Sequence, residues 1–308
     1  MRRTLVILMN GGSSVMAFNA PAKMVGLVGN AGVYKSKLSV FQFLIRGFMA
    51  GAYIAIGGAL CTVCSTGVAP ILGPGIGKLI GGAVFPVGLI AIVLTGMELF
   101  TGDCMLVPMA AMMKRCTWGS VFRNWFWVYI GNVVGSFFYA YMMAVGPFVD
   151  GTADGTMVVN AFGMTAINIS VAKILTYKAV GTAGLWSCFM KAIGCNFLVN
   201  IAILLAITAD DVISKFFGIW FPIMAFVATG FEHCVANMYF LPTGKFLTDW
   251  YPATIEKVGG LLAANGGLSW GDIWFWNIIP VTIGNIVGGF LFIGVAYFLM
   301  FRNELPKD

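Results

Sequence analysis

Apolar residues in this chain neither alternate nor recur on one face; they run. Charge-free stretches occupy 47–77, 79–97, 104–113, 124–149, 192–209, 216–231, 234–244 and 273–301. Crossing the ~30 Å hydrocarbon core of a bilayer takes about 20 apolar residues in a helix. Four of the runs cross alone. The run 79–97 is followed, after 98–103, by a piece too short to span, and 216–231 is followed, after Glu232 and His233, by another. Each pair reads as one interrupted helix. The pattern predicts an all-α membrane protein of six transmembrane helices whose second and fifth are broken.

Breaks at corresponding positions of two three-span halves point to inverted repeats with a transport site between them. The stretch YIGNVVGSFF at 129–138 in the third span matches TIGNIVGGFLF at 282–292 in the sixth. Gly131 with Gly135, and Gly284 with Gly288, have the small-xxx-small spacing that lets helix backbones approach closely in lipid. The adjoining asparagines either bond neighbouring helices or contact a permeant. The expected organisation is an N-terminal tail over 1–40, a six-helix channel domain over 41–302 with repeats at about 41–149 and 186–302, and a C-terminal tail over 303–308. The apolar stretch within 1–16 is too short to span and reads as cytoplasmic tail rather than signal peptide.

Composition agrees, since 59% of residues are hydrophobic and 10% charged, against roughly 25% charged in soluble domains. The net charge of +6 is scattered among apolar runs, which argues against a nucleic-acid partner. Counted on alternate sides of the spans, Lys and Arg number twelve against six, so both termini are expected in the cytoplasm of a multi-pass inner (plasma) membrane protein. Trp118, Trp125 and Trp127 at one interface, and Trp270, Trp274 and Trp276 at the other, fit that orientation. Seven cysteines in apolar runs imply no disulfide framework. The sequence has no Walker loop, nucleophile elbow, HExxH or paired Asn-Pro-Ala box, and no cofactor or resident metal is expected.

Ionisable groups at membrane depth cost about 2.5–3.5 kcal/mol on insertion scales, so Glu98, Asp103, Glu232 and the single histidine, His233, should face protein or a water-filled path. Broken helices aim backbone N–H groups at anions, and an imidazole can offer such an anion a donor, a charge or a proton. Glu232 is better suited to orienting loop amides than to facing an anion. Phe85, Leu89, Leu99, Phe100 and Phe226 are candidates for apolar constrictions that a neutral acid passes more easily than its anion.

Four motifs, ELFTGD at 98–103, AIGCNFLVN at 192–200, GFEHCVANM at 230–238 and IPVTIGNIVGG at 279–289, make the chain resemble the formate/nitrite transporters over about 41–302. That resemblance implies an aquaporin-like fold, a homopentamer with one pore per protomer in membrane lipid, and passage of small monovalent anions or their neutral acids, often with a proton. Carried over by motif, His233 resembles the central pore histidine and Thr101 its hydrogen-bonding partner. Leu89 and Leu99 match the cytoplasmic constriction and Phe85 and Phe226 the periplasmic one. Asn196 matches the polar residue near the histidine, Glu232 and Asn237 the network shaping the fifth-span break, and Asn285 the sixth-span asparagine. Of the lysines that could serve the outer vestibule, Lys178 is the choice, with Lys173 and Lys191 as alternatives.

The expected permeant is formate, with nitrite or hydrosulfide as alternatives from the same family. A lysine would draw in the anion, whose proton affinity rises as water is stripped. It would cross as the neutral acid past His233, which supplies the proton or a positive potential. A water or glycerol channel and a membrane-embedded metal protein using His233 with Cys234 or Cys195 are the competing classes.

Overall fold

The computed structural model describes residues 18–305; the expected tail segments 1–17 and 306–308 lie outside the described residues. Helix α1 (Pro21–Ser36) has proline in its first turn, where the missing N–H is no loss. A reciprocal capping box between Ser39 and Gln42 starts α2 (Val40–Ser65). The chain continues through α3 (Val68–Leu72), α4 (Pro74–Thr95), α5 (Phe100–Met112) and α6 (Trp118–Val145). An antiparallel hairpin of β1 (Val149–Gly151) and β2 (Met157–Val159) leads to α7 (Ala161–Val180), whose cap Asn160 accepts from Phe162 and Gly163 N–H. Then come α8 (Thr182–Thr208), α9 (Val212–Ala228), α10 (Cys234–Trp250), the short α11 (Ala253–Val258) and α12 (Gly260–Ala264), and α13 (Trp270–Phe301).

Among the described residues five helices, α2, α4, α6, α8 and α13, are long and apolar enough to cross a membrane, and α5 and α9 are shorter apolar helices. The surface is inverted relative to a soluble protein. Phe41, Ile71, Phe122, Phe221 and Phe275 are exposed, while Glu98, Asp103, Asn132, Asn196, Asn200, Glu232 and Asn285 are buried. Apolar side chains outside and paired polar groups inside are what lipid demands, and the chain is a multi-pass membrane protein.

Helix limits depart from the charge-free runs for a simple reason. A cation inside a helix interrupts the run without interrupting the helix: α2 begins before Arg46 and α8 before Lys191. Helix α7, which contains Lys173 and Lys178, did not register as an apolar run at all. It packs on α10 much as α1 packs on α5, so each short half-helix has a preceding helix laid against it. α6 packs on α2 and α13 on α8 through glycine contacts; a Cβ on Gly131 would lie 2.9 Å from Gly47 Cα, so nothing larger fits. Tyr129 and Thr282, equivalent positions of the two matching Gly-Asn stretches, hydrogen-bond each other at 3.0 Å.

Candidate functional site

Both interruptions are built alike. α4 ends at Gly96 (φ +74) and α9 is followed by Gly230 (φ +76), a left-handed conformation that glycine adopts without a Cβ penalty. Two residues later stand the buried Glu98 and Glu232. Leu99 (φ −114, ψ 120) and His233 (φ −112, ψ 117) follow, extended, as the N-caps of α5 and α10. Irregular backbone at this depth needs internal partners, and an asparagine from the duplicated motif supplies them at each break. Asn132 Oδ1 accepts from Phe100 N–H at 2.9 Å while its Nδ2 donates to the Glu98 and Gly47 carbonyls. Asn285 Oδ1 accepts from Cys234 N–H at 2.9 Å while its Nδ2 donates to the Glu232 and Ala192 carbonyls.

Each glutamate is held by a lysine from the helix laid against its half-helix. Lys35, at the end of α1, reaches Glu98 Oε2 and Asp103 Oδ1, both at 2.9 Å. Lys173 of α7 reaches Glu232 Oε2 at 2.7 Å, and Glu232 also accepts from the Tyr177 hydroxyl at 2.8 Å and Asn237 Nδ2 at 2.7 Å. Lys191 donates to the same tyrosine oxygen at 3.1 Å. Buried carboxylates are tolerated only with such partners. Lys178 stands apart: it pairs with Asp272 at 2.9 Å and is about a third exposed. Five residues on a helix turn about 140°, so Lys173 and Lys178 cannot address one point. The lysine at the Glu232–Asn237 cluster is Lys173, while Lys178, the choice for the outer vestibule, lies at the Asp272 pair.

Between the two breaks His233 meets Thr101: Nε2 lies 3.0 Å from Thr101 Oγ1, and Nδ1 accepts from Ala236 N–H at 3.0 Å. A ring nitrogen that accepts carries no proton. The neutral imidazole therefore holds its hydrogen on Nε2 and donates it to Thr101, leaving the threonine hydroxyl hydrogen available to a third group. Thr101 is itself fixed from behind, because its carbonyl accepts from Asn196 Nδ2 at 3.0 Å and Asn200 Nδ2 at 3.2 Å. Asn196 also donates to the Asn285 carbonyl at 2.6 Å. It supports the threonine and makes no hydrogen bond to the histidine.

Apolar side chains lie beside this pair. The Phe226 ring stacks on His233 at 5.8 Å between centroids and meets Phe85 edge-on at 5.6 Å. Leu89 and Leu99 line a cavity of about 300 Å³ that also holds Lys35, Arg46, Glu98 and Asp103. The Phe100 ring packs edge-on against Tyr129 and Trp125. Sequence reasoning missed Lys35, Tyr177, Asn200 and the role of Asn132. The duplicated Gly-Asn motif was the signal for Asn132; Lys35 sat unremarked in the expected tail. Among the described residues no three His, Cys, Asp or Glu side chains converge to hold a metal.

The formate/nitrite transporter profile matches residues 22–299. The chain is similar to a probable formate transporter of Methanothermobacter thermautotrophicus, 39% identical over 296 residues, covering 94% of this chain and 99% of that one. It is similar also to the formate channel FocA of Escherichia coli (strain K12), 32% identical, covering 92% and 95%. Among solved structures, a pentameric formate channel with formate bound superposes with a TM-score of 0.68 at 30% identity, covering 85% of this chain and 98% of that one. A further ion channel of the same fold gives 0.71 at 26% identity, covering 90% and 98%.

Proposed function

The chain belongs to the formate/nitrite transporter family, a family of transporters and channels rather than enzymes, and we propose that it conducts formate or a similar small monovalent anion together with a proton. In this reading six spans, α2, α4 with α5, α6, α8, α9 with α10, and α13, form two inverted repeats of aquaporin-like design, with α1 and α7 each introducing one. Five copies assemble in the inner membrane with both termini in the cytoplasm.

The observation that carries the proposal is the His233–Thr101 hydrogen bond at the facing first turns of two half-helices, with apolar side chains beside it. The half-helix N-termini make the approaches attractive to an anion. Between apolar side chains its charge is poorly solvated. Desolvation raises the proton affinity of a carboxylate, so the permeant takes a proton and passes Phe85, Phe226, Leu89 and Leu99 as the neutral acid. The threonine hydroxyl, polarised by the imidazole N–H on its oxygen, donates to the permeant oxygen in transit. Moving a proton onto Nδ1 would break the cap of α10, so His233 acts as the neutral donor and the travelling proton comes from solution.

The test is uptake of labelled formate into proteoliposomes between about pH 5 and pH 8, with nitrite, hydrosulfide and glycerol as competitors. Saturable formate flux that grows on acidification is expected. Water or glycerol movement without formate flux, or formate flux indifferent to pH, would overturn the reading.

A further inference from the structure

A second cavity, of about 950 Å³, lies away from the pore, where α1, the turn after α5 and the end of α13 come together. Lys23, Lys114, Arg115 and Arg302 line it against one carboxylate, Glu304, and Phe298 contributes to an apolar wall. Among the described residues Lys23, Lys114 and Arg302 form no ion pair, and Arg115 is braced by donating to Asn30 Oδ1 at 2.7 Å. Lys23, Lys114 and Arg302, three cations from three separate elements around one cleft, make a concentrated positive field.

The backbone at Lys114 bears on the same point. Lys114 is the one non-glycine among the described residues with positive φ, at +61°. Its N–H bonds the Ala111 carbonyl and Arg115 N–H bonds the Ala110 carbonyl, both at 2.9 Å. This pair of bonds closes a helix around a left-handed residue that is usually glycine. A lysine here pays a conformational penalty, and its side chain is exposed at the cleft rather than packed in the core. A cation kept at a strained position is the kind of outlier from which a binding role is read.

We propose that this cleft binds a phosphate group, carried either by an anionic phospholipid at the membrane face or by a soluble phosphorylated metabolite. The cations take the phosphate oxygens, and the apolar wall accommodates the remainder of the ligand.

The experiment is thermal unfolding of the full-length protein in two formats. One compares nanodiscs of phosphatidylcholine with nanodiscs containing phosphatidylglycerol; the other titrates inorganic phosphate. Wild type is expected to unfold later with one of the two probes, and which probe does so identifies the source. Lys114→Gly relieves the left-handed backbone, so without ligand it should unfold no earlier than wild type. Its apparent affinity should nonetheless fall about fivefold, as should that of Arg302→Gln, the effect of one surface cation on an anionic phosphate. Stabilisation by neither probe, or undiminished binding by Lys114→Gly, would overturn the proposal.

Discussion

Asn285→Ala removes one side chain and three hydrogen bonds from the His233 break. The residue is fully buried, and its amide joins Cys234 N–H, the Glu232 carbonyl and the Ala192 carbonyl at 2.8–3.0 Å. Ala192 lies inside α8 and keeps its helical partner. Cys234 N–H opens α10 and Glu232 lies in irregular backbone, so neither group has a helical partner to fall back on. A buried polar group left unpaired costs about 1–3 kcal/mol, so two such groups cost about 4 kcal/mol. At roughly 2–4 °C per kcal/mol for a chain of this order, thermal unfolding in nanodiscs should begin about 10 °C earlier. Formate uptake should fall as well, because the cap carrying the imidazole loses its anchor. Asn132→Ala should lose a similar amount of stability, since Phe100 N–H and the Glu98 carbonyl are orphaned at the Leu99 break while Gly47 lies inside α2 and keeps its helical partner. A midpoint lowered by less than about 2 °C in both variants would refute the view that these two asparagines hold the interruptions in shape.

Thr101→Val keeps the shape of the side chain but orphans the imidazole N–H; formate flux should fall about 10- to 100-fold, the equivalent of a lost buried partner, while Thr101→Ser retains most of it. Lys173→Met should destabilise by about 3–5 kcal/mol by stranding buried Glu232, and Glu232→Gln in the same chain should restore part of the loss in thermal unfolding. Lys178→Met, at a more exposed pair, should change stability by less than about 1 kcal/mol; equal effects at the two lysines would refute Lys173 as the clamp on buried Glu232. Hydrogen bonds from Ser214, side chain and N–H, hold the exposed Asp211 below the usual carboxylate range. Because its folded value is the lower one, its contribution is present above the unfolded value and is lost as pH falls through the folded value. The difference in unfolding midpoint between wild type and Asp211→Ala should therefore be seen near neutrality and vanish in acid.

Much of the architecture was legible in the primary structure because lipid imposes a one-dimensional rule: apolar runs of a certain length become spans, and charges within them are exceptions with a purpose. The two interruptions, the duplicated Gly-Asn motif and the importance of Glu98, Glu232 and His233 follow from that rule. It blurs where a cation belongs to a helix, as with Arg46, Lys191 and the whole of α7. It is silent on rotation about a helix axis, so it does not say which lysine of α7 meets Glu232 or where the Phe100 ring packs. Alone, then, the order of residues determined the membrane class and which apolar runs are long enough to cross, since those depend on local hydrophobicity and spacing. Only the tertiary structure decided that Lys35 and Lys173 clamp the two glutamates, that Asn196 and Asn200 hold Thr101 from behind, and that His233 keeps its proton on Nε2. Those depend on which faces of distant helices meet, and that is settled by packing across more than a hundred residues of chain.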